Sequence, residues 1–342
     1  MPFLQNAWYV AAWTDELGTG SLMHRKLLNQ DILFYRRADG SPVAMTARCP
    51  HRFAPLHYGS LVEGERVRCR YHGLEFGPDG RCVKNPNSDG PPPQIGTRTF
   101  PLVEHHQLIW IWMGNPDLAN PAEAGQEYDY LGQPDRYAVC KGYLHLACNF
   151  GLALDNLMDA AHVNFLHDST LGSEALTLAK TVLREEDGVI FAERFAPDGA
   201  PSALFGQLRG NCEEHVDHWA DGRWQAPCRI SLKVGVTAVG APRSEGMEIR
   251  ATHLLTPETE TTTHYFWALA RDFQLDNSML TEQLGATTQA IFTNEDQWML
   301  EGQQQMLNGE SFWDAKPKFL AGDVATAAVR RRLDRLIRAE QG

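Results

Sequence analysis

The apolar positions change their rhythm along the chain. Up to about residue 115 they fall in short runs of strand length, bounded by turn residues. DILFYRRADGSPVAMTARC, residues 31–49, is two extended runs joined by the turn-like ADGSP, and VRCRYHGLEFGPDGRCV, residues 67–83, is two more joined by GPDG. LIWIWMG, residues 108–114, is continuous and short, which suits a buried strand. NPNSDGPPPQIG, residues 85–96, is a Pro/Gly-rich loop able to cover a neighbouring surface, and GNPDLANPAEAG, residues 114–125, has the composition of a linker.

Beyond the linker, LALDNLMDAAHVNFLH, residues 152–167, carries a helical pattern. Strand-like runs follow at GVIFAERFA, RISLKVGVTAVG, EIRATHLLT and TTTHYFWALA, then helical patterns over about 278–306 and 323–340. In the last, Val329, Leu333, Leu336 and Ile337 form an apolar stripe, and the arginines around them are expected to face water. The predicted class is α+β: an all-β N-terminal domain over residues 1–118, then a domain over 119–342 with an antiparallel sheet and helices at its ends.

Composition narrows the possibilities. The chain has 342 residues, 43% of them hydrophobic, enough for two cores. Its formal net charge of −12 argues against a nucleic-acid footprint and suits a soluble cytoplasmic protein. No apolar run approaches the length of a membrane span, and the opening MPFLQNAWYVAAWTDEL has no basic leader. Seven cysteines point to ligands or core residues in a reducing compartment.

Cys49 and His51 lie on one hairpin tip and Cys69 and His72 on another. Zinc accepts two Cys and two His, but its ligands commonly pair like with like. Here each pair is mixed, as in a [2Fe–2S] centre with two thiolates on one iron and two imidazoles on the other, where each loop gives one ligand to each iron. The neutral imidazoles leave less negative charge on such a centre and raise its potential. Arg48, Arg52, Arg68 and Arg70 crowd these ligands, as a solvated basic surface or as a docking patch for an acidic electron donor.

A second constellation lies at 155–168. Asp159 precedes His162 by three residues, so on a helix the two share a face. His162 and His167 are five apart, about 140° on an ideal helix, so for both to reach one metal the helix must end or distort between them. Two His and one carboxylate make the facial triad of oxygen-activating iron(II). IFTNEDQWMLE, residues 291–301, offers Glu295 or Asp296 as the carboxylate, and periodicity does not choose between them.

The motifs CPHR and CRYHG resemble those of Rieske proteins. With NAWYVAA, CPHRFAPL, YHGLEF, IWIW, DNLMD, THLLTPET and HYFW, essentially the whole chain resembles the oxygenase component of a Rieske non-haem iron oxygenase, in particular the vanillate and dicamba O-demethylase group. The family pattern Asn-x2-Asp-x2-His-x4-His falls on Asn156, Asp159, His162 and His167, and its carboxylate ligand falls on Asp296. The resemblance implies a [2Fe–2S] cluster on Cys49, His51, Cys69 and His72, a mononuclear Fe(II) on His162, His167 and Asp296, and a helix-grip catalytic domain. It also implies a homotrimer in which Asp159 bridges His162 to His72 of the next chain, and O2 as co-substrate. Electrons come from NAD(P)H through a reductase or ferredoxin.

The implied reaction is oxidation of a small aromatic, foremost O-demethylation of a methoxylated aromatic acid. N-demethylation, methyl hydroxylation and ring oxygenation are alternatives, and an electron carrier without catalysis is a remote one. His253 matches a position where a related enzyme binds an aromatic carboxylate. Lys233 and His264 are further polar candidates, and Leu204, Ile291 and Phe292 are apolar wall candidates. Where the family pocket has a polar residue on RISLKV, this chain has Leu232.

Overall fold

The computed structural model describes residues 3–89 and 94–342. Contacts divide it into Gln5–Glu127 and Tyr128–Gly342, the second unit also taking residues 3 and 4. Relative to the expected division after residue 118, residues 119–127 group with the first unit.

The first unit is built of short antiparallel strands. One sheet joins Trp8–Trp13, Leu108–Trp112 and Leu102–His105, and all five residues of the LIWIW strand are buried. A second has the order Met23–Leu27, Gln30–Arg36, Pro42–Thr46, Thr99–Phe100. A third has the order Ser60–Val62, Arg66–Arg68, Glu75–Phe76, Cys82–Lys84. One core of Leu33, Tyr35, Met45, Leu56, Val67, Leu74 and Phe76 continues directly into Cys49 and Cys69. Of the Pro/Gly-rich loop, residues 90–93 lie outside the described residues. Asn87 in the described part donates its Nδ2 to the His72 carbonyl at 3.2 Å.

The second unit is a seven-stranded antiparallel sheet. Its order is Ala138–Leu146, Thr263–Arg271, Met247–Pro257, Arg229–Ala238, Val216–Gln225, Val189–Gly199, Val182–Glu186. Its helices are α1 (Phe150–Met158), α2 (Val163–Leu166), α3 (Glu174–Leu178), α4 (Ala203–Leu208), α5 (Ser278–Ile291), α6 (Trp298–Met306) and α7 (Val324–Gln341).

The helix expected over 152–167 is two helices. Asn149 caps the start of α1 by accepting from the Gly151 N–H, and Asp159 ends it in extended geometry. The expected 278–306 helix is also interrupted: Phe292–Gln297 is a π-helical turn between α5 and α6. On α7, Val329, Leu333 and Ile337 are buried as the stripe requires. Arg330, expected in water, is buried instead, because Asp155 of α1 takes its Nε and Nη2 (2.8 and 2.7 Å) and Phe312 lies under its guanidinium. That pair ties α7 to the helix carrying Asn156.

Candidate metal centres and oxygenase pocket

The two hairpin tips of the first unit repeat one turn. The Cys49 N–H donates to Ala54 and its carbonyl accepts from Phe53 (2.8 and 2.9 Å); the Cys69 N–H donates to Leu74 and its carbonyl accepts from Gly73 at the same distances. In each loop the fourth residue after the cysteine has positive φ, +60° at Phe53 and +75° at Gly73. The turns bury both thiols, 1% and 2% exposed, and bring the His51 and His72 rings to 4.6 Å between centroids. Burial, reinforced by the neighbouring Cys69, pushes the Cys49 thiol up to about 11. A pair of buried thiolates needs cationic metal to hold it, so the donor set fits a centre taking two thiolates and two imidazoles.

Of the four crowding arginines, Arg68 does not contribute to a free patch. Its guanidinium turns to the buried Glu75 at 2.8 Å. Arg48 lies over Phe53, while Arg52 and Arg70 are exposed.

In the second unit, one ligand atom each from His162, His167 and Asp296 fall within 4.8 Å of one another. His162 precedes the single turn of α2 and His167 follows it, so the break in the chain that the five-residue spacing demanded is present. His167 Nε2 lies 3.3 Å and His162 Nε2 3.8 Å from Asp296 Oδ1, which also accepts from Asn156 Nδ2 at 3.0 Å. The π-turn brings both adjacent acids inward against His167. Asp296 meets one nitrogen of His167, and Glu295 meets the other, Nδ1, at 2.6 Å while accepting from Thr170 Oγ1 at 2.9 Å. Burial pulls the His167 pKa down, but Asp296 and Glu295 outweigh it and hold it above the ordinary value. Asp159 Oδ2 lies 3.8 Å from His162 Nδ1, too far for a hydrogen bond, and that Nδ1 is a buried atom with no hydrogen-bond partner. Burial tends to raise the Asp159 pKa; the His162 imidazole, the Ala161 N–H and the field of Arg194 overcome it and keep it low. Two imidazoles and a carboxylate converging beside an orphaned imidazole nitrogen fit a single divalent metal.

Asn156, Asp159, His162, His167 and Asp296 are among the residues lining a cavity of about 290 Å³. Family models match both units: one described as a Rieske [2Fe-2S] domain over residues 7–101, one as the vanillate O-demethylase oxygenase C-terminal domain over 146–339. The chain belongs to the vanillate O-demethylase family of Rieske oxygenase components. It is 50% identical to the oxygenase component of chloroacetanilide N-alkylformylase of Rhizorhabdus wittichii over 99% of this chain and 97% of that one. It is 37% identical to the iron-sulfur subunit TsaM1 of the toluene-4-sulfonate monooxygenase system of Comamonas testosteroni, over 99% of both. The crystal structure of dicamba monooxygenase bound to 3,6-dichlorosalicylic acid superposes with a TM-score of 0.93 at 35% identity, covering both chains fully.

The oxygenase pocket takes up some of the expected substrate residues and not others. Leu204, Leu232, Ile291, Phe292 and His253 line it. Lys233 does not: alternation along its strand turns it outward, opposite Arg250 and Asp221. His264 is also outside the lining and pairs its Nδ1 with Tyr143 Oη at 2.8 Å. His253 is buried, its Nδ1 is 2.7 Å from Tyr265 Oη, and burial pushes its pKa down to about 4, so it is a neutral imidazole. His218, which the sequence reading did not single out, is likewise buried in the lining, beside Ser173 Oγ at 3.3 Å, and burial lowers it to about 4. Arg194 was missed as well. It is the one permanent cation among the described lining residues. Both sit in strands at alternating inward positions, so strand register, unlike motif matching, could have found them.

Proposed function

We propose that this chain is the terminal oxygenase of a Rieske monooxygenase that removes an N- or O-alkyl group from an uncharged aromatic, with an N-alkylated anilide as the foremost substrate class. What carries the reading is the convergence of His162, His167 and Asp296 on the wall of an apolar cavity sized for one small aromatic. Cys49, His51, Cys69 and His72 would hold the [2Fe–2S] cluster. His162, His167 and Asp296 would hold a single iron, which would supply the activation of O2. The protein residues position and insulate. Asn156 fixes the Asp296 carboxylate, and Glu295 fixes the His167 ring through Nδ1. Leu232, Ile291, Phe292 and Leu204 present the ring of the substrate with apolar surface and exclude water.

Overall, a C–H next to nitrogen or oxygen, O2, two electrons and two protons give a C–OH and water. The hemiaminal or hemiacetal then collapses to the N–H or O–H product and a carbonyl compound, an aldehyde from a simple alkyl group and a formate ester from an N-alkoxymethyl group. The electrons come from a separate reductase or ferredoxin, and a homotrimer lets Asp159 connect His162 to the His72 of a neighbouring chain.

The preference for an uncharged substrate over a methoxylated acid rests on the pocket's charges. Lys233 points away, Leu232 is apolar and His253 is neutral, so the carboxylate-gripping candidates expected from the sequence are withdrawn, and the one cation left among the described lining residues, Arg194, shares the lining with the acids Asp159 and Asp296. The relative at 50% identity acts on chloroacetanilides. Turnover with a compatible reductase tests it. Release of the N-dealkylated anilide and an alkyl formate from N-alkoxymethyl chloroacetanilides, in excess of phenol and formaldehyde from methoxybenzoates, is expected; the reverse order rejects the uncharged class and restores the aromatic acid.

A further inference from the structure

Arg194 is an inward-facing residue of the Val189–Gly199 strand, directly opposite Ala220 of its neighbour. Its residue is 7% exposed and lines the oxygenase cavity. Two of its nitrogens are committed: Nε donates to Thr181 Oγ1 at 2.8 Å and Nη1 to the Thr177 carbonyl at 3.3 Å, at the end of α3. These bonds fix the plane of the guanidinium. Nη2 has no hydrogen-bond partner among the described residues, and it is not one of the atoms sealed from water. An accessible nitrogen on an otherwise buried residue that lines the cavity opens onto that cavity.

The charges around it specify what Nη2 would bind. Asp159, whose field Arg194 feels, and Asp296 lie on the same lining, and Glu295 backs His167. With a divalent iron in place, these three carboxylates balance the metal and Arg194. A neutral site gains nothing from a further anion, which would have to shed its hydration. A neutral but strongly dipolar acceptor suits it, because a hydrogen bond from a charged donor is worth more than one from a neutral donor.

We infer that Arg194 is the polar anchor of the substrate pocket, donating from Nη2 to the carbonyl oxygen of an amide substrate and so orienting its N-alkyl group toward His162, His167 and Asp296. The inference rests on the proposed anilide reading and adds the residue that selects the acyl group.

Binding to the holoenzyme without reductant separates this from turnover. Calorimetric titration would compare an N-alkyl acetanilide with the matched N-alkyl-N-ethylaniline, in which CH2 replaces the carbonyl. An apolar pocket without a donor prefers the carbonyl-free compound, since a buried unpaired carbonyl is unfavourable. Wild type should instead bind the carbonyl compound more tightly by about tenfold. Arg194→Met should abolish or reverse that preference while leaving affinity for the carbonyl-free compound nearly unchanged. Arg194→Lys, which keeps the charge and most of the length, should retain part of it and serves where the Met variant does not fold. No preference in wild type, an unchanged preference in either variant, or an equal loss for both compounds overturns the inference, the last marking Arg194 as only a tie to α3. A preserved preference without N-dealkylated product in turnover would instead reject the reaction assigned to the chain and leave the anchor standing.

Discussion

Single residues decide how each proposed metal ligand is held. Glu295 is the clearest case, because it grips the ligand imidazole from behind. Glu295→Gln keeps a hydrogen-bonding group but loses the charge that orients and enriches His167, and mononuclear iron affinity should fall about tenfold or more. Iron and acid-labile sulfide assays check this: the cluster iron should be unchanged while the additional iron is lost. In the first unit, Gly73 has φ +75° and an added Cβ would sit 2.8 Å from Pro86 Cγ. Gly73→Ala should therefore destabilise that unit by about 1–2 kcal/mol, read as a lower melting temperature with earlier bleaching of the cluster's visible absorption. Phe53 adopts the same backbone region in the matching turn, with Arg48 over its exposed ring, so the two loops reach one geometry from different residues. The cysteines and histidines were legible because ligand chemistry restricts residue type and spacing together. Arg194 and His218 were not, since a lone Arg or His in a strand carries no such constraint until register assigns it a face.

At the level of elements, the informative feature is the π-turn Phe292–Gln297. A regular helix through 278–306 would separate Glu295 and Asp296 by about 100°, and the apolar periodicity could not say which faced inward. The inserted turn lets both face His167, a backbone irregularity that hydrophobic patterning does not encode. Deleting the exposed Asn294 should restore a continuous helix with little change in far-UV circular dichroism or melting temperature. It should also rotate the acids off the site and empty it of mononuclear iron, with the cluster intact; retention of that iron would show that the π-turn is dispensable. The end of α2 at His167 was foreseeable in outline, because two converging histidines five positions apart are incompatible with an uninterrupted helix. The strands were legible for the ordinary reason that one face of the sheet is apolar. The buried Arg330 was not, because its partner Asp155 lies 175 positions away in sequence.

For the whole molecule, two consequences extend beyond any one site. The buried imidazoles of His218 and His253, both with folded-state values of about 4, bind a proton in the unfolded chain before they do so in the folded one. Their contribution is therefore intact above pH 6.5 and is lost as pH falls from there toward 4, by about 2 kcal/mol each at pH 5. Calorimetry at pH 7 and pH 5 should find a smaller acid-induced drop in His218→Gln than in wild type; identical drops would mean that this histidine is not held neutral. The second consequence follows from the proposed trimer. If each cluster serves the iron of a neighbouring chain, a chain with a broken cluster and one with a broken iron site can repair each other. Cys69→Ser and His162→Ala should each be inactive alone. In a ring of three every cluster faces one neighbouring iron, so random equal mixing by co-expression joins an intact cluster to an intact iron at one junction in four, and should restore about a quarter of wild-type turnover. Electron flow confined to one chain would restore none, because no chain in the mixture has both centres. Mixing the two purified homotrimers without exchange should also give no activity, so the recovery must track the formation of mixed assemblies, measured by mass spectrometry of the intact complexes.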